Sequence, residues 1–504
     1  MLDYQSPFIL SIDIGTSSIR AQVYDAGAKP LDGVGRQIHY SITNTPEGGA
    51  FIDLQILCDL IFQVIDAAVH EAHEIGIGID AVSCCTFWHS AAGVDSEGNP
   101  CTPLLFWNDT RPESILPELK ETLDPIAFTK RTGCPMHASY LPAKITWLHR
   151  AMPEQARQAR YWMSAGEYFL YKITGHRACS ISMASASGLL DSQKCEWDAV
   201  TLAQIPAQLD QLSPLCDAQD ALPGLLPSFA RRWPSLTRAA WRPALGDGAC
   251  SNIGCGCSSP NRVAVMVGTS GAMRAAWRGE FQEPPSGLWC YRIDKQRPIK
   301  GGALSNGGNI MAWLRDTLDF SSMGVSKNDP SSLNEISRQL MDLPPDGHGL
   351  TFLPFLAGQR SPHWNPNMTG TLHGIRLSTK PIHIFQAALE AVAYRFKMIH
   401  NLLQDSLADD HVIVATGGGL LHSSAWVQIL ADVFGRDVYI SKISEASCRG
   451  AALVALESQG AVKDIADIDL CVSVKRSPNP EAHAVYQSAI QRHIDFEAHR
   501  IESF

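Results

Sequence analysis

Two Gly-Thr-Ser segments, one run of three glycines and two isolated aspartates are the residues of this sequence whose types and spacing best suit chemistry. Gly15-Thr16-Ser17 closes an apolar run from Phe8 to Ile14, and Gly268-Thr269-Ser270 closes a second from Val263 to Val267. A strand ending in such a turn points successive backbone N–H groups and two hydroxyls into one small space, which suits the oxygens of a polyphosphate. One turn alone reads more readily as an ordinary hairpin. Two copies facing each other across a cleft could hold a phosphate chain from both sides. At Gly268 a Cβ is expected to crowd those phosphates and to demand a left-handed backbone angle. Asp13, at the end of the first run, stands where Mg2+ could be held, usually through water; capping of the turn is the competing role.

Gly246-Asp247-Gly248 supplies a second carboxylate, flanked by residues small enough to let it sit at the floor of a narrow cleft. Phosphoryl transfer needs a group that orients the attacking hydroxyl and accepts its proton, and Asp247 is the candidate. An Asp-Gly pair is also common material for a simple turn. The third glycine segment, Gly417-Gly418-Gly419, follows the apolar run Val412 to Thr416 and precedes a helix near Ser424. Glycines at that junction permit the close backbone approach that a flat adenine or its ribose needs, although a plain strand-to-helix turn would look the same. They are contiguous, so this is not the Gly-x-Gly-x-x-Gly dinucleotide fingerprint.

The elements that must position these groups repeat. After each Gly-Thr-Ser turn comes a second strand, Ile19 to Tyr24 in one case and Ala272 to Trp277 in the other, which points to two domains opening with the same hairpin. The boundary is expected near Cys255 to Asn261, where Gly256, Ser258, Ser259 and Pro260 supply turn chemistry. Short apolar runs alternate with helical patterns in both halves, so the class is α/β. Pro381 with Ile382, Phe385, Leu389, Val392, Phe396, Ile399 and Leu403 predicts one long helix with a single buried stripe. Val427, Leu430, Ala431 and Phe434 predict a second helix after Ser424, and Leu202 to Trp241 reads as loops joining short helices.

Composition limits what these groups can serve. The 504 residues, 45% hydrophobic and 18% charged, suffice for two or three cored domains and are too apolar for extensive disorder. A formal charge of −10 offers no overall basic field for nucleic acid. Met1 to Phe8 carries no Lys or Arg and Asp13 interrupts the apolar stretch that follows, so neither an export signal nor a membrane partner is expected and the location is expected to be cytoplasmic. The fourteen cysteines then read as reduced, and Cys250, Cys255 and Cys257 lack the further ligands a zinc site needs.

Gly370-Thr371-Leu372-His373-Gly374-Ile375, His383-Ile384 and Ala387-Ala388-Leu389-Glu390 together resemble the C-terminal signature of the FGGY carbohydrate kinases, whose fold belongs with actin, hexokinase and the Hsp70 ATPase. The similarity runs from Ile9 to about Gly460 and takes in both Gly-Thr-Ser turns, Gly246-Asp247, and Gly417 to Asp432. It implies two similar actin/hexokinase-like (ribonuclease H-like) α/β domains with a cleft between them. Residues 1–256 would bind sugar, residues 257–460 would bind nucleotide, and residues 461–504 have no assigned role. The resemblance further implies ATP and Mg2+, with Asp247 as catalytic base and, alongside Asp13, as a metal-site carboxylate. The implied nucleotide site comprises Gly15, Thr16, Ser17, Arg20, Gly268, Thr269, Ser270, Gly308, Gly417, Gly418 and Gly419. The implied sugar site comprises Trp88, His89, Asn108, Asp109, Lys144 and Asp247.

Within the family, Thr269 to Arg274, Pro354 to Pro362 and Thr132 to His137 look most like gluconokinases. That implies transfer of the ATP γ-phosphate to D-gluconate, with Lys144, Arg111, His89 and His137 as the positive groups expected to face its carboxylate. Phe87-Trp88-His89 stands where xylulokinases carry Gln-Met-His. A kinase of a neutral ketose or polyol is the first alternative, and a nucleotide-gated ATPase of the actin and Hsp70 type the second. A homodimer is compatible with all three.

Overall fold

The computed structural model describes residues 4–321 and 332–501. Its first sheet uses β1 (Ile9–Ile14), β2 (Ser18–Tyr24), β3 (Pro30–His39), β4 (Ala81–Thr86) and β5 (Ala240–Gly246), in the spatial order β3-β2-β1-β4-β5. β1 is buried along almost its whole length, as a central strand covered on both faces must be, whereas β2 alternates buried and half-buried residues. β1 and β2 form the predicted antiparallel hairpin with Ile14 opposite Ile19, and β1 runs parallel to β4 with Asp13 opposite Cys85. β5 runs parallel to β4 with Gly246 opposite Thr86. The carboxyl ends of β1, β4 and β5 therefore finish side by side, the edge of an open α/β sheet where ligands collect.

Three helices of this half matter for the site. The helix α1 (Leu54–Glu74) packs on β2 and β3, and starts at Asp53, whose carboxylate accepts from the N–H groups of Gln55 and Ile56. The helix α2 (Leu141–Ala151) carries Lys144 on its buried side, and α3 (Asp247–Gly254) begins at the aspartate that ends β5.

The second sheet contains β6 (Arg262–Val267), β7 (Gly271–Ala276), β8 (Trp289–Asp294), β9 (Arg297–Leu304), β10 (Val412–Thr416), β11 (Val438–Ser441) and β12 (Val472–Arg476). Its order is β8-β9-β7-β6-β10-β11-β12. The five strands β9-β7-β6-β10-β11 repeat the order of the first sheet, hairpin included, with Val267 opposite Gly271. The duplication read from the two Gly-Thr-Ser turns thus extends to the topology of both halves.

The helices here are α4 (Gly308–Thr317), α5 (Pro381–Leu403), α6 (Ser424–Phe434), α7 (Ala446–Ser458) and α8 (Pro480–Ile501). All seven residues of the predicted stripe on α5 are buried, and Pro381 opens the helix as expected. Ser423 caps α6 through its hydroxyl, and Gly435, at φ 66°, ends it in the left-handed conformation. Between Leu202 and the start of β5 lie a short helix, Pro227–Arg232, 3-10 turns at Leu209–Gln211 and Pro234–Leu236, and a two-residue strand, Leu215–Cys216, among loops.

The halves are tied by α3 and α7, which cross so closely that a Cβ on Gly254 would fall 1.8 Å from the Ala446 carbonyl oxygen, and one on Gly450 1.8 Å from that of Cys250. Glycine is what lets the two backbones touch. Ser11 of β1 donates to the Cys448 carbonyl at 2.6 Å, so α7 is fixed to the strand that leads into Asp13. The C-terminal residues, unassigned from sequence, add β12 to the sheet edge and lay α8 against α6 and α5.

Candidate active site

Asp247 stands at the first position of α3, directly beyond β5. Its carboxylate accepts the Gly248 N–H at 2.7 Å. The flanking glycines are required by a neighbour: a Cβ at Gly246 would fall 1.8 Å from Trp88 Nε1, and one at Gly248 2.4 Å from the same indole. Trp88 thus lies flat against the Gly-Asp-Gly backbone, held by an Nε1–H bond to the Ser182 carbonyl at 3.1 Å. Burial raises the pKa of Asp247, opposed by the Arg274 charge and the Gly248 N–H.

Asp13 ends β1 on the same edge and is pushed up to about 7, first by burial and then by the charge of Asp247, although the Cys85 thiol donates to it at 3.3 Å. Two oxygen-donor carboxylates that repel each other in a buried site fit a hard divalent cation such as Mg2+, whose charge would compensate both.

The first Gly-Thr-Ser turn is closed by Gly15 N–H to Ser18 O at 3.0 Å, and Trp107 Nε1–H reaches Thr16 Oγ1 at 3.3 Å. Arg20 sits opposite Asp13 across the β1–β2 ladder, but its guanidinium pairs with Glu445 at 2.7 Å and with Gln37 at 2.8 Å, so its charge ties the two halves together. In the second turn Gly268 N–H bonds to Ser270 O at 3.0 Å, and the Gly308 N–H at the start of α4 bonds to Gly268 O at 2.8 Å. The expectation of a left-handed angle at Gly268 is not met: no positive φ occurs there, and an added Cβ meets only Met266 Sδ at 3.6 Å. Gly417 is the residue that needs it, at φ 85°, with a Cβ falling 2.5 Å from Val267 O. Because Met266 of β6 pairs with Thr416 of β10, the Gly268 and Gly417 segments emerge side by side. A cavity of about 340 Å3 lined by Asn334, Ser337, Arg338, His422 and Ser424 opens just beyond Gly419.

The predicted sugar residues separate into two groups. Trp88 and His89 follow β4 at the cleft. His89 holds a strained left-handed angle, φ 62°, with its Nδ1 2.7 Å from Ala186 O, and its ring packs edge-on to Tyr140 and Tyr291. Asn108 keeps a buried Oδ1 without a partner. Asp109 and Lys144 are committed elsewhere. Asp109 accepts from Ala50 N–H at 3.0 Å and from Arg111 Nε and Nη2 at 3.0 and 2.6 Å. The Lys144 ammonium is fully buried and donates to the carbonyls of His89 and Phe106.

The cationic face expected from Lys144, Arg111, His89 and His137 is therefore corrected. Burial lowers Lys144 to about 7 and its amine donates to two backbone carbonyls, Arg111 is paired with Asp109, and burial, reinforced by the Arg360 charge, holds His89 well below the usual range and His137 at about 3, so both histidines are neutral.

The sequence reading did not single out Arg274, Arg360, Tyr140, Tyr291 and Trp289 for the site. Arg274 follows the second turn on β7 and reaches across to α3, where a Cβ on Gly248 would lie 3.1 Å from its Nη2. Tyr140 and Tyr291 join the two halves through their hydroxyls at 2.6 Å, and Tyr291 stacks on Trp289 at 4.1 Å. The signal for the arginines was present, since both fall in the stretches that looked gluconokinase-like. Which way their side chains turn is set by tertiary packing.

This geometry, two duplicated α/β halves with paired glycine turns and a carboxylate at their junction, is that of a phosphotransferase cleft. The chain belongs to the FGGY family of carbohydrate kinases: the family's N-terminal domain matches residues 8–254 and its C-terminal domain residues 264–458. It is 28% identical to a gluconokinase of Bacillus licheniformis, over 95% of this chain and 93% of that protein. A xylulose kinase of Staphylococcus xylosus is 22% identical, over 89% of this chain and 90% of its own. Among solved structures, a gluconate kinase from Lactobacillus acidophilus superposes with a TM-score of 0.88 at 24% identity, covering 97% of both chains. A xylulose kinase from the same organism gives 0.89 at 24%, covering 97% of this chain and 98% of that one. Both structural likenesses speak to the fold alone.

Proposed function

We propose that the protein transfers the γ-phosphate of ATP to the primary hydroxyl of D-gluconate, forming 6-phosphogluconate and ADP, and that it does so in the cytoplasm. The observation that carries the reading is the placement of Asp247, at the carboxyl edge of the first sheet against Trp88 and facing Arg274 of the second half. Asp247 takes the proton of the attacking hydroxyl; its oxygen forms the new bond to phosphorus as the bond to the β-phosphate oxygen breaks. Trp88 gives the sugar carbons an apolar wall, and His89, neutral, offers hydrogen bonds without charge. The Gly15 and Gly268 turns hold the phosphate chain with their N–H groups, and the cavity beyond Gly419 takes the base. Asp13 and Asp247 are the residues that would hold Mg2+, which when bound supplies positive charge against the phosphate oxygens. The gluconokinase relatives support the acid, and the xylulose kinases at lower identity support the neutral ketose as the second reading.

The product decides the reading. Phosphorus NMR of the reaction with gluconate should show a single new phosphomonoester on C6. ADP released at the same rate without any sugar would instead identify a nucleotide-gated ATPase.

A further inference from the structure

We propose that Arg360 is the residue that reads the substrate's carboxylate, while Asp247 takes its primary hydroxyl; this rests on the sugar-acid reading above. Two guanidinium groups enter the cleft, those of Arg274 and Arg360. Neither donates a hydrogen bond or pairs with a carboxylate among the described residues, and the Nε of each is buried without a partner. Arg297 pairs with Asp294 and Glu457 and Arg395 with Glu497, and Arg292 and Arg242 donate to backbone carbonyls, whereas the buried Arg274 and the half-buried Arg360 have neither kind of partner. A buried cation without one is costly, and a bound anion removes the cost.

The two are not equivalent. Arg274 lies beside Gly248 and feels the charge of Asp247, which places it at the reacting end. Arg360 lies near the hydroxyls of Tyr140 and Tyr291 and shares its surroundings with the Arg274 charge, with no carboxylate paired to it among the described residues. Its guanidinium lies within cation–π reach of the rings of Trp107 and Trp364, 5.5 and 5.4 Å from their centroids, contacts that hold the group in place while using none of its N–H donors. His89 and His137, which share its field, are neutral and do not compete for an anion. A six-carbon open chain with its primary hydroxyl at Asp247 is too long to keep its carboxylate there as well. The far end then meets Arg360, where a planar fork suits a carboxylate bidentately.

The test compares kcat/KM for gluconate and for sorbitol, its neutral counterpart with an alcohol in place of the carboxylate, in the wild type, Arg360→Gln and Arg360→Lys. Arg360→Gln should lower the gluconate value by about ten- to a hundredfold, mainly through KM, and leave sorbitol within about threefold. Arg360→Lys should recover part of the loss, and thermal melts of all three should agree. Equal losses on both substrates, or none on gluconate, overturn the assignment of Arg360 while leaving a gluconate kinase in place. A wild type that prefers sorbitol or xylulose overturns the sugar-acid reading itself, and this assignment with it.

Discussion

His363 Nδ1 lies 2.8 Å from Glu497 Oε1, joining the loop that carries Arg360 to the last helix of the chain. The same carboxylate accepts from Gln359 and pairs with Arg395, so α8 grips that loop on both sides of Arg360. Burial by itself would raise Glu497, but the His363 hydrogen bond and the Arg395 charge hold it down at about 2. A carboxylate depressed in the folded state contributes stability that is present above its unfolded value, near 4.5, and lost as pH falls toward 2. Glu497→Gln should therefore cost about 3–5 kcal/mol by leaving Arg395 unpaired, and its melting temperature should fall less steeply than the wild type's between pH 5 and 3. Parallel acid limbs in calorimetry would rule out this role for Glu497.

Asp247→Asn keeps the shape of the side chain and removes the proton acceptor. Sugar-dependent turnover should drop by about a hundredfold or more while ATP still binds. Turnover within about threefold of wild type would remove Asp247 from the catalytic step.

Gly268 and Gly417 should respond differently to a side chain. At Gly268 the backbone is permissive and a Cβ makes only ordinary contact with Met266 Sδ at 3.6 Å, so Gly268→Val should fold normally and raise the KM for ATP far more than that for sugar. Gly417→Ala must adopt φ 85° and push on the Val267 carbonyl, and should lose more than about 1 kcal/mol of stability. Chemical denaturation of both variants, together with their KM values, separates the two cases. A destabilised Gly268→Val with equal KM changes for both substrates would show that Gly268 is structural.

Lys144→Met leaves the carbonyls of His89 and Phe106 without their donor, at about 1–3 kcal/mol for each unsatisfied group. Activity on gluconate and on neutral sugars should fall together, because the segment bearing Trp88 and His89 loosens. Loss confined to gluconate would return Lys144 to direct contact with the carboxylate.

The duplicated hairpins, the long helix with its stripe and the carboxylate between two glycines were legible because each is a local pattern: a run, a period or a turn. Asp13, Asp247, Trp88 and His89 sit at strand ends, where chain position alone indicates the sheet edge. Which cations face the cleft was not legible. Lys144 looked free in the sequence because its acceptor, the Phe106 carbonyl, is brought to it by the packing of α2, whereas Arg111 pairs with Asp109 two residues before it, a local pairing that residue type alone does not decide. Arg360 looked like loop, and its setting follows from Trp364, four residues on in the same loop, and Trp107, from a distant segment, both closing on it. The C-terminal segment carried no motif, and its contribution is tertiary: β12 at the sheet edge, α8 packed on α5 and α6, and Glu497 reaching a loop more than a hundred residues away in sequence.

The proposed function is phosphorylation of a sugar acid in this cleft. The direct measurement is sugar-dependent ADP release in a coupled assay with gluconate, xylulose, ribulose and glycerol at equal concentrations. Gluconate should exceed each neutral substrate in kcat/KM by at least about tenfold, the selectivity expected of one charge-assisted contact. A higher value for xylulose or another neutral polyol would contradict it.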